Sequence, residues 1–267
     1  MPVYNYTTLD DPAANNLTQA FGINTAGQIV GTYFSNSFYH GFLYTGGTYS
    51  NFDEPSAANG ITNAFGVNDA GQIVGYYNDG SGNHGFLLSG VGGAYTTLDD
   101  PLGTHGTVAR GINNAGAIVG FYIDSSSISH GFLRSAGGTY TTFNDPLGTH
   151  GTVASGINAS GQIVGYYTDG GSHIHGFLYS AGTYTTLDDP SATSTQALGI
   201  NDAGQIVGIY TDSGSHQHGF ILNIAPNPPP PGGTTADLIL RGSNASPAVA
   251  GQYEIYDWVK SEPIGHL

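Results

Sequence analysis

The sequence predicts an all-β, five-bladed β-propeller of four-stranded antiparallel blades, closed by an N-terminal strand that joins the last blade. Three observations predict it: a fivefold internal repeat, four short apolar runs in each copy, and a mismatch in phase between the two ends. Gly22-Ile23-Asn24, Gly66-Val67-Asn68, Gly111-Ile112-Asn113, Gly156-Ile157-Asn158 and Gly199-Ile200-Asn201 recur every 43 to 45 residues. A period of that length marks stacked supersecondary units.

Within a copy, the runs Gln19 to Asn24, Gly27 to Tyr33, His40 to Tyr44 and Thr48 to Phe52 are separated by turn residues and read as strands. The first turn is Asn24-Thr25-Ala26-Gly27, and its equivalents begin at Asn68, Asn113, Asn158 and Asn201. Asn opens a type I turn with its side-chain acceptor, and Gly takes the left-handed position that returns the chain as a hairpin. The following Gln-Ile-Val-Gly, or Ala117-Ile118-Val119-Gly120 in the third copy, places adjacent apolar residues on opposite faces. Such a strand must be covered on both sides, as it is between stacked blades.

The ends are complementary. Tyr6-Thr7-Thr8-Leu9-Asp10-Asp11-Pro12 has no His-Gly-Phe strand before it, and His218-Gly219-Phe220-Ile221-Leu222 has no Tyr-Thr-Thr strand after it. Pairing the first with the last removes the exposed edges of an open array. The propeller is therefore expected over residues 1–224, with a Pro/Gly-rich linker over 225–235. Residues 236–267 form a short tail, truncated from a second module, docked or disordered.

Composition narrows the function. Nineteen acidic residues face four basic ones, Arg110, Arg134, Arg241 and Lys260, for a formal charge of −15. That field repels phosphate backbones, so nucleic acid is not an expected partner. With no Cys, disulfides, thiolate metal sites and cysteine nucleophiles are excluded. Met1 to Asp10 has neither a basic nor an apolar signal region, and no run is long enough to span a membrane, so no membrane insertion is expected.

The repeated Gly-Ile-Asn, Gly-Gln-Ile-Val-Gly-Tyr and His-Gly-Phe-Leu segments over residues 4 to 224 resemble the bacterial extracellular HAF-repeat family, departing from it just after the His. The resemblance implies an extracellular or cell-surface protein, and it carries over no activity and no functional residues. Ala236 to Asp257 resembles the opening of another module found in bacterial secreted proteins.

In a propeller of this phase, the loop from each outer strand to the next inner strand shares a face with the loop joining the second and third strands. That face collects Asp10, Asp11, Asp53, Glu54, Asp99, Asp100, Asp145, Asp188 and Asp189, with Asn144 in the one remaining position. A negative rim attracts cations or hydroxyl-rich ligands. The competing reading is that one acid of each pair caps its own turn before Pro.

His40, His84, His130, His175 and His218 open the third strand and are expected to pin it to a nearby carboxylate. His173 and His216 create His-x-His pairs in two blades only. Two His do not complete a metal site, and the loops at Asn78 and Asp169 miss the calcium-loop pattern. Tyr33, Tyr77, Tyr122, Tyr167 and Tyr210 either stack on sugars or pack between blades, packing being the simpler reading.

The third and fourth copies share Pro101-Leu102-Gly103-Thr104-His105-Gly106-Thr107 and Pro146-Leu147-Gly148-Thr149-His150-Gly151-Thr152. These loops nominate His105 and His150 as local contact residues. The expected function is a multivalent module for carbohydrate or another extracellular polymer, acting through loops on the acidic face. A protein-interaction scaffold and a glycoside-cleaving enzyme with rim carboxylates are the alternatives. No catalytic residue, metal or cofactor is assigned; the sequence carries no Ser-His-Asp or HExxH signature.

Overall fold

The computed structural model describes residues 7–57 and 60–224. Blade 1 contains β1 (Leu17–Ile23), β2 (Ile29–Ser35), β3 (Phe38–Thr45) and β4 (Thr48–Phe52). Blade 2 contains β5 (Ile61–Val67), β6 (Ile73–Asn78), β7 (Asn83–Leu88) and β8 (Tyr95–Leu98). β9 (Thr107–Ile112), β10 (Ile118–Ile123), β11 (Ser129–Arg134) and β12 (Tyr140–Phe143) build blade 3. Blade 4 follows with β13 (Thr152–Ile157), β14 (Ile163–Thr168), β15 (Ile174–Ser180) and β16 (Thr183–Leu187). Blade 5 holds β17 (Ala192–Ile200), β18 (Gln205–Asp212) and β19 (Gln217–Asn223). Every sheet is an antiparallel meander in chain order, and the five sheets are arranged as a β-propeller.

The turn chemistry operates as the residues dictate. Asn24 Oδ1 accepts the Gln28 amide at 2.9 Å, and Gly27 sits at φ 74°. Its equivalents Gly71, Gly116, Gly161 and Gly204 lie between 75° and 78°, where a side chain would be strained.

Packing explains the Ile-Val pair. Ile73 and Val74 are both fully buried although they point to opposite faces. Val30 packs into the blade 2 core with Ala64, Ile73 and Phe86; Val74 joins Ala109, Ile118 and Phe132; Val119 joins Ala154, Ile163 and Phe177. The inner strands approach so closely that a Cβ on Gly156 would lie 3.1 Å from the Gly199 Cα. An Asn ladder stitches the joints: the side-chain amides of Asn24, Asn68, Asn113 and Asn158 donate to the carbonyls of Asn68, Asn113, Asn158 and Asn201.

The joint between blades 5 and 1 differs among the described residues. Val207 is 48% exposed where its equivalent Val164 is fully buried, and Ile23 is 66% exposed where Ile157 is 8% exposed. Blade 5 shows three strands. Residues 4–6 of the strand expected to complete it lie outside the described residues, and residues 7–12 carry no strand pairing. The linker and tail expected over 225–267 also lie outside the described residues. No helix among the described residues is long and apolar enough to cross a membrane.

Candidate functional site

The loop from each outer strand to the next inner strand starts with the acid pair, whose two members behave differently. The second acid is turned inward and holds its own turn. Asp11, Glu54, Asp100, Asp145 and Asp189 accept the amides of Ala13, Ser56, Leu102, Leu147 and Ser191 at 2.6–2.9 Å. Their own amides donate to the hydroxyls of Thr18, Thr62, Thr107, Thr152 and Thr195 on the following inner strand. Asp11, Glu54, Asp100 and Asp145 are buried. Burial raises Asp100 and Asp145 above the ordinary carboxylate range, against the pull of the Leu102 and Leu147 amides.

The first acid stays exposed and reaches the histidine of the third strand. Asp53 lies 3.0 Å from His40 Nδ1, Asp99 2.9 Å from His84 Nδ1, and Asp188 2.7 Å from His175 Nδ1. Asn144 takes this place against His130. Asp10 is exposed, and among the described residues it has no bond to His218.

A second set of carboxylates, the turn acids expected beside these histidines, lies at the other ring nitrogen. Asp79, Asp124, Asp169 and Asp212, in the turns between second and third strands, lie 3.0–3.4 Å from Nε2 of His84, His130, His175 and His218. Their recurrence five or six residues before each His was the available signal. Asp79 and Asp169 are held at about 2, Asp79 first by Ser81 and Asp169 first by the His173 amide. Asp169 and Asp212 are thus occupied by their own loops, and their partners His173 and His216 point outward. Among the described residues, no three His, Cys, Asp or Glu side chains converge as a metal-ligand set.

The five tyrosines lie under these histidines, with ring centroids 4.9–5.3 Å apart. Tyr33, Tyr77, Tyr122 and Tyr167 are buried, and the last three share a hydrogen bond with Thr97, Thr142 and Thr186. Tyr33, Tyr77, Tyr122 and Tyr167 pack the blade and offer no open ring face to a sugar.

The loops entering blades 3 and 4 also lie on this face. The His105 amide donates to the Ile123 carbonyl at 3.0 Å, and the Ile123 amide donates to Gly106 at 2.9 Å. His150 and Gly151 repeat both bonds with Thr168. Each loop is thereby clamped to the end of the second strand it overhangs. Leu102 and Leu147 are 58% and 59% exposed, beside the exposed Thr104, His105, Thr149 and His150. The opposite end of the inner strands encloses a central opening of about 470 Å³ lined by Asn24, Asn68, Asn113, Asn201 and Asp69. Most of its polar groups are already spent: the Asn side chains on turns and ladder, Asp69 on the Thr25 amide and Asn114.

These features define the class as a β-propeller with a chemically repeated rim. No protein-family model matches the chain, and no curated protein matches it in sequence. Similar solved structures include TolB from Acinetobacter baumannii, 14% identical, with a TM-score of 0.55 over 70% of this chain and 46% of that one. The fungal lectin of Aleuria aurantia, described as a six-bladed β-propeller with a novel fucose recognition mode, is 14% identical over 78% of this chain and 75% of its own, TM-score 0.46. Virginiamycin B lyase from Staphylococcus aureus is 11% identical over 78% of this chain and 72% of that one, TM-score 0.47. At 14% identity the TolB match shows likeness of fold alone.

Proposed function

We propose that this protein is a multivalent binding module for carbohydrate or another extracellular polymer, acting at the cell surface as the resemblance to HAF-repeat proteins implies. The observation that carries this reading is the duplication of one clamped, exposed platform, Leu102-Thr104-His105 and Leu147-Thr149-His150, on adjacent blades. Each platform sets an apolar side chain among hydroxyl and imidazole groups, which suits the C–H face and hydroxyl rim of a sugar ring. Because the loops are held by backbone bonds, little ordering entropy opposes contact, and two such sites gain avidity on a polymer.

The same exposed leucines favour a protein-interaction scaffold as the second reading. Glycoside cleavage fits less well, since Asp100 and Asp145 share one environment and do not form the unequal acid and carboxylate that such chemistry needs. A glycan array probed with the full chain tests the proposal. Binding to a defined glycan class supports it, whereas recovery of a protein partner with no effect of added sugars would replace it with the scaffold.

A further inference from the structure

One position breaks the fivefold repetition where the backbone does not. Each inner strand is interrupted just before the Gly of Gly-Ile-Asn, and the interrupting residues are Phe21, Phe65, Arg110, Ser155 and Leu198. A bulge re-aims the side chain it carries, and bulges gather beside functional sites. Here the same bulge presents five differing side chains, one of them charged.

Arg110 has an unusual environment. Its guanidinium carbon lies 5.5 Å from the Phe65 ring centroid and 5.5 Å from that of Phe121. The side chain is half-buried, Nε is fully enclosed without an acceptor, and among the described residues no carboxylate pairs with it. On the adjoining inner strand the Ser155 hydroxyl is buried and also lacks a partner. The two aromatic faces stabilise the cation, but they supply no acceptor for a planar five-donor fork. In a chain of charge −15 a half-buried guanidinium without a carboxylate among the described residues stands out. The geometry that satisfies a fork between two ring faces is a carboxylate received bidentately. Phe21, 49% exposed, lies 5.1 Å from Phe65 by ring centroid.

We infer that Arg110, with Phe65 and Phe121, forms an acid-recognising subsite at the inner strand of blade 3 that takes the carboxylate of an acidic sugar such as a uronic acid. This deepens the carbohydrate reading and rests on it for the ligand class. It does not involve the two loop platforms. The rim carboxylates repel acidic polymers, so the subsite is expected to select short uronic-acid segments or chain ends.

The experiment is a titration of the full chain with galacturonate oligomers, followed by calorimetry and by the Arg Nε–H resonances in NMR. Matched neutral galactose oligomers and a sulfated galactan serve as the other arms. The expected result is a shift of the Arg110 Nε–H signal with galacturonate and not with the neutral oligomer. R110M should weaken galacturonate binding by more than tenfold, and R110K should weaken it several-fold because the fork is lost while the charge stays. The NMR readout on unaltered protein keeps the test valid if a variant unfolds. A response to sulfate equal to that to carboxylate would overturn the choice of ligand. Galacturonate binding unchanged in folded R110M would overturn the subsite, as would neutral glycans binding the platforms while no carboxylate probe moves Arg110; in that last case the multivalent reading survives alone.

Discussion

His175 donates through Nδ1 to Asp188 at 2.7 Å while its Nε2 lies 3.4 Å from Asp169, so a single imidazole joins the acid of the outer strand to the acid of an inner turn. Burial alone lowers the His175 pKa, but hydrogen bonding and charge from Asp188, then Asp169, outweigh it and the net shift is upward. A raised histidine contributes stability that is fully present below the ordinary value of about 6.5 and is lost as pH rises through the folded value. The expected outcome is an NMR titration midpoint for His175 above 6.5 that falls in D188N. A midpoint unmoved by that substitution would contradict the pairing.

Asp145 presents the opposite sign. Its carboxyl is buried and raised, so the ionised form is disfavoured in the folded state at neutral pH, and the penalty disappears as pH falls below about 4. Asn retains an acceptor for the Leu147 amide without the charge. D145N is therefore predicted to melt about 2 °C or more above the parent at pH 7, with the difference fading near pH 3. Calorimetric scans at both pH values check it; a lower melting point at pH 7 would mean that the charge itself holds the turn.

The Asn ladder predicts an asymmetry between equivalent positions. Asn113 donates to the Asn158 carbonyl at 3.1 Å and accepts the amides of Ala115 and Ala117 in a buried setting. Asn201 is exposed, and its amide goes only to Gln205 among the described residues. Asn113→Ala should cost about 1–3 kcal/mol in urea unfolding and Asn201→Ala distinctly less. Equal costs would show that the ladder does not couple blades.

The joint between blades 5 and 1 is tested by chemistry the native chain lacks. Extending the β3–β4 register, in which Leu43 opposes Ser50, to blade 5 sets Thr7 opposite Ile221. Since Cys is absent, Thr7→Cys with Ile221→Cys gives one defined pair. An intramolecular disulfide forming under mild oxidation is the expected result, detected as faster migration on non-reducing gels. Only intermolecular disulfides, or none, would show that the first segment does not complete the fifth blade.

Much of this architecture is legible in the sequence because each device is local. The Asn24-to-Gly27 turn encodes its hairpin, and the Ile73-Val74 adjacency reports burial on both faces. The acid pairs illustrate the limit. Asp99 and Asp100 look alike in sequence, yet one reaches His84 and the other is drawn into its own turn by Leu102 and Thr107. That division depends on the alternating directions of adjacent side chains at a strand end. The pairing of Arg110 with Phe65 and Phe121 was less accessible still, because it spans two blades and depends on a bulge that no periodicity announces.

The clamped loops at His105 and His150 are proposed as equivalent contact points. Once an array identifies a glycan, calorimetry with a short oligomer on the parent, on L102A/H105A, on L147A/H150A and on the fourfold variant tests this equivalence most directly. Two equivalent platforms give about two sites per chain in the parent, about one in each loop variant and none in the fourfold variant, with affinity for the long polymer falling tenfold or more when either loop is lost. A fourfold variant that is folded and binds with the parent's stoichiometry would contradict it.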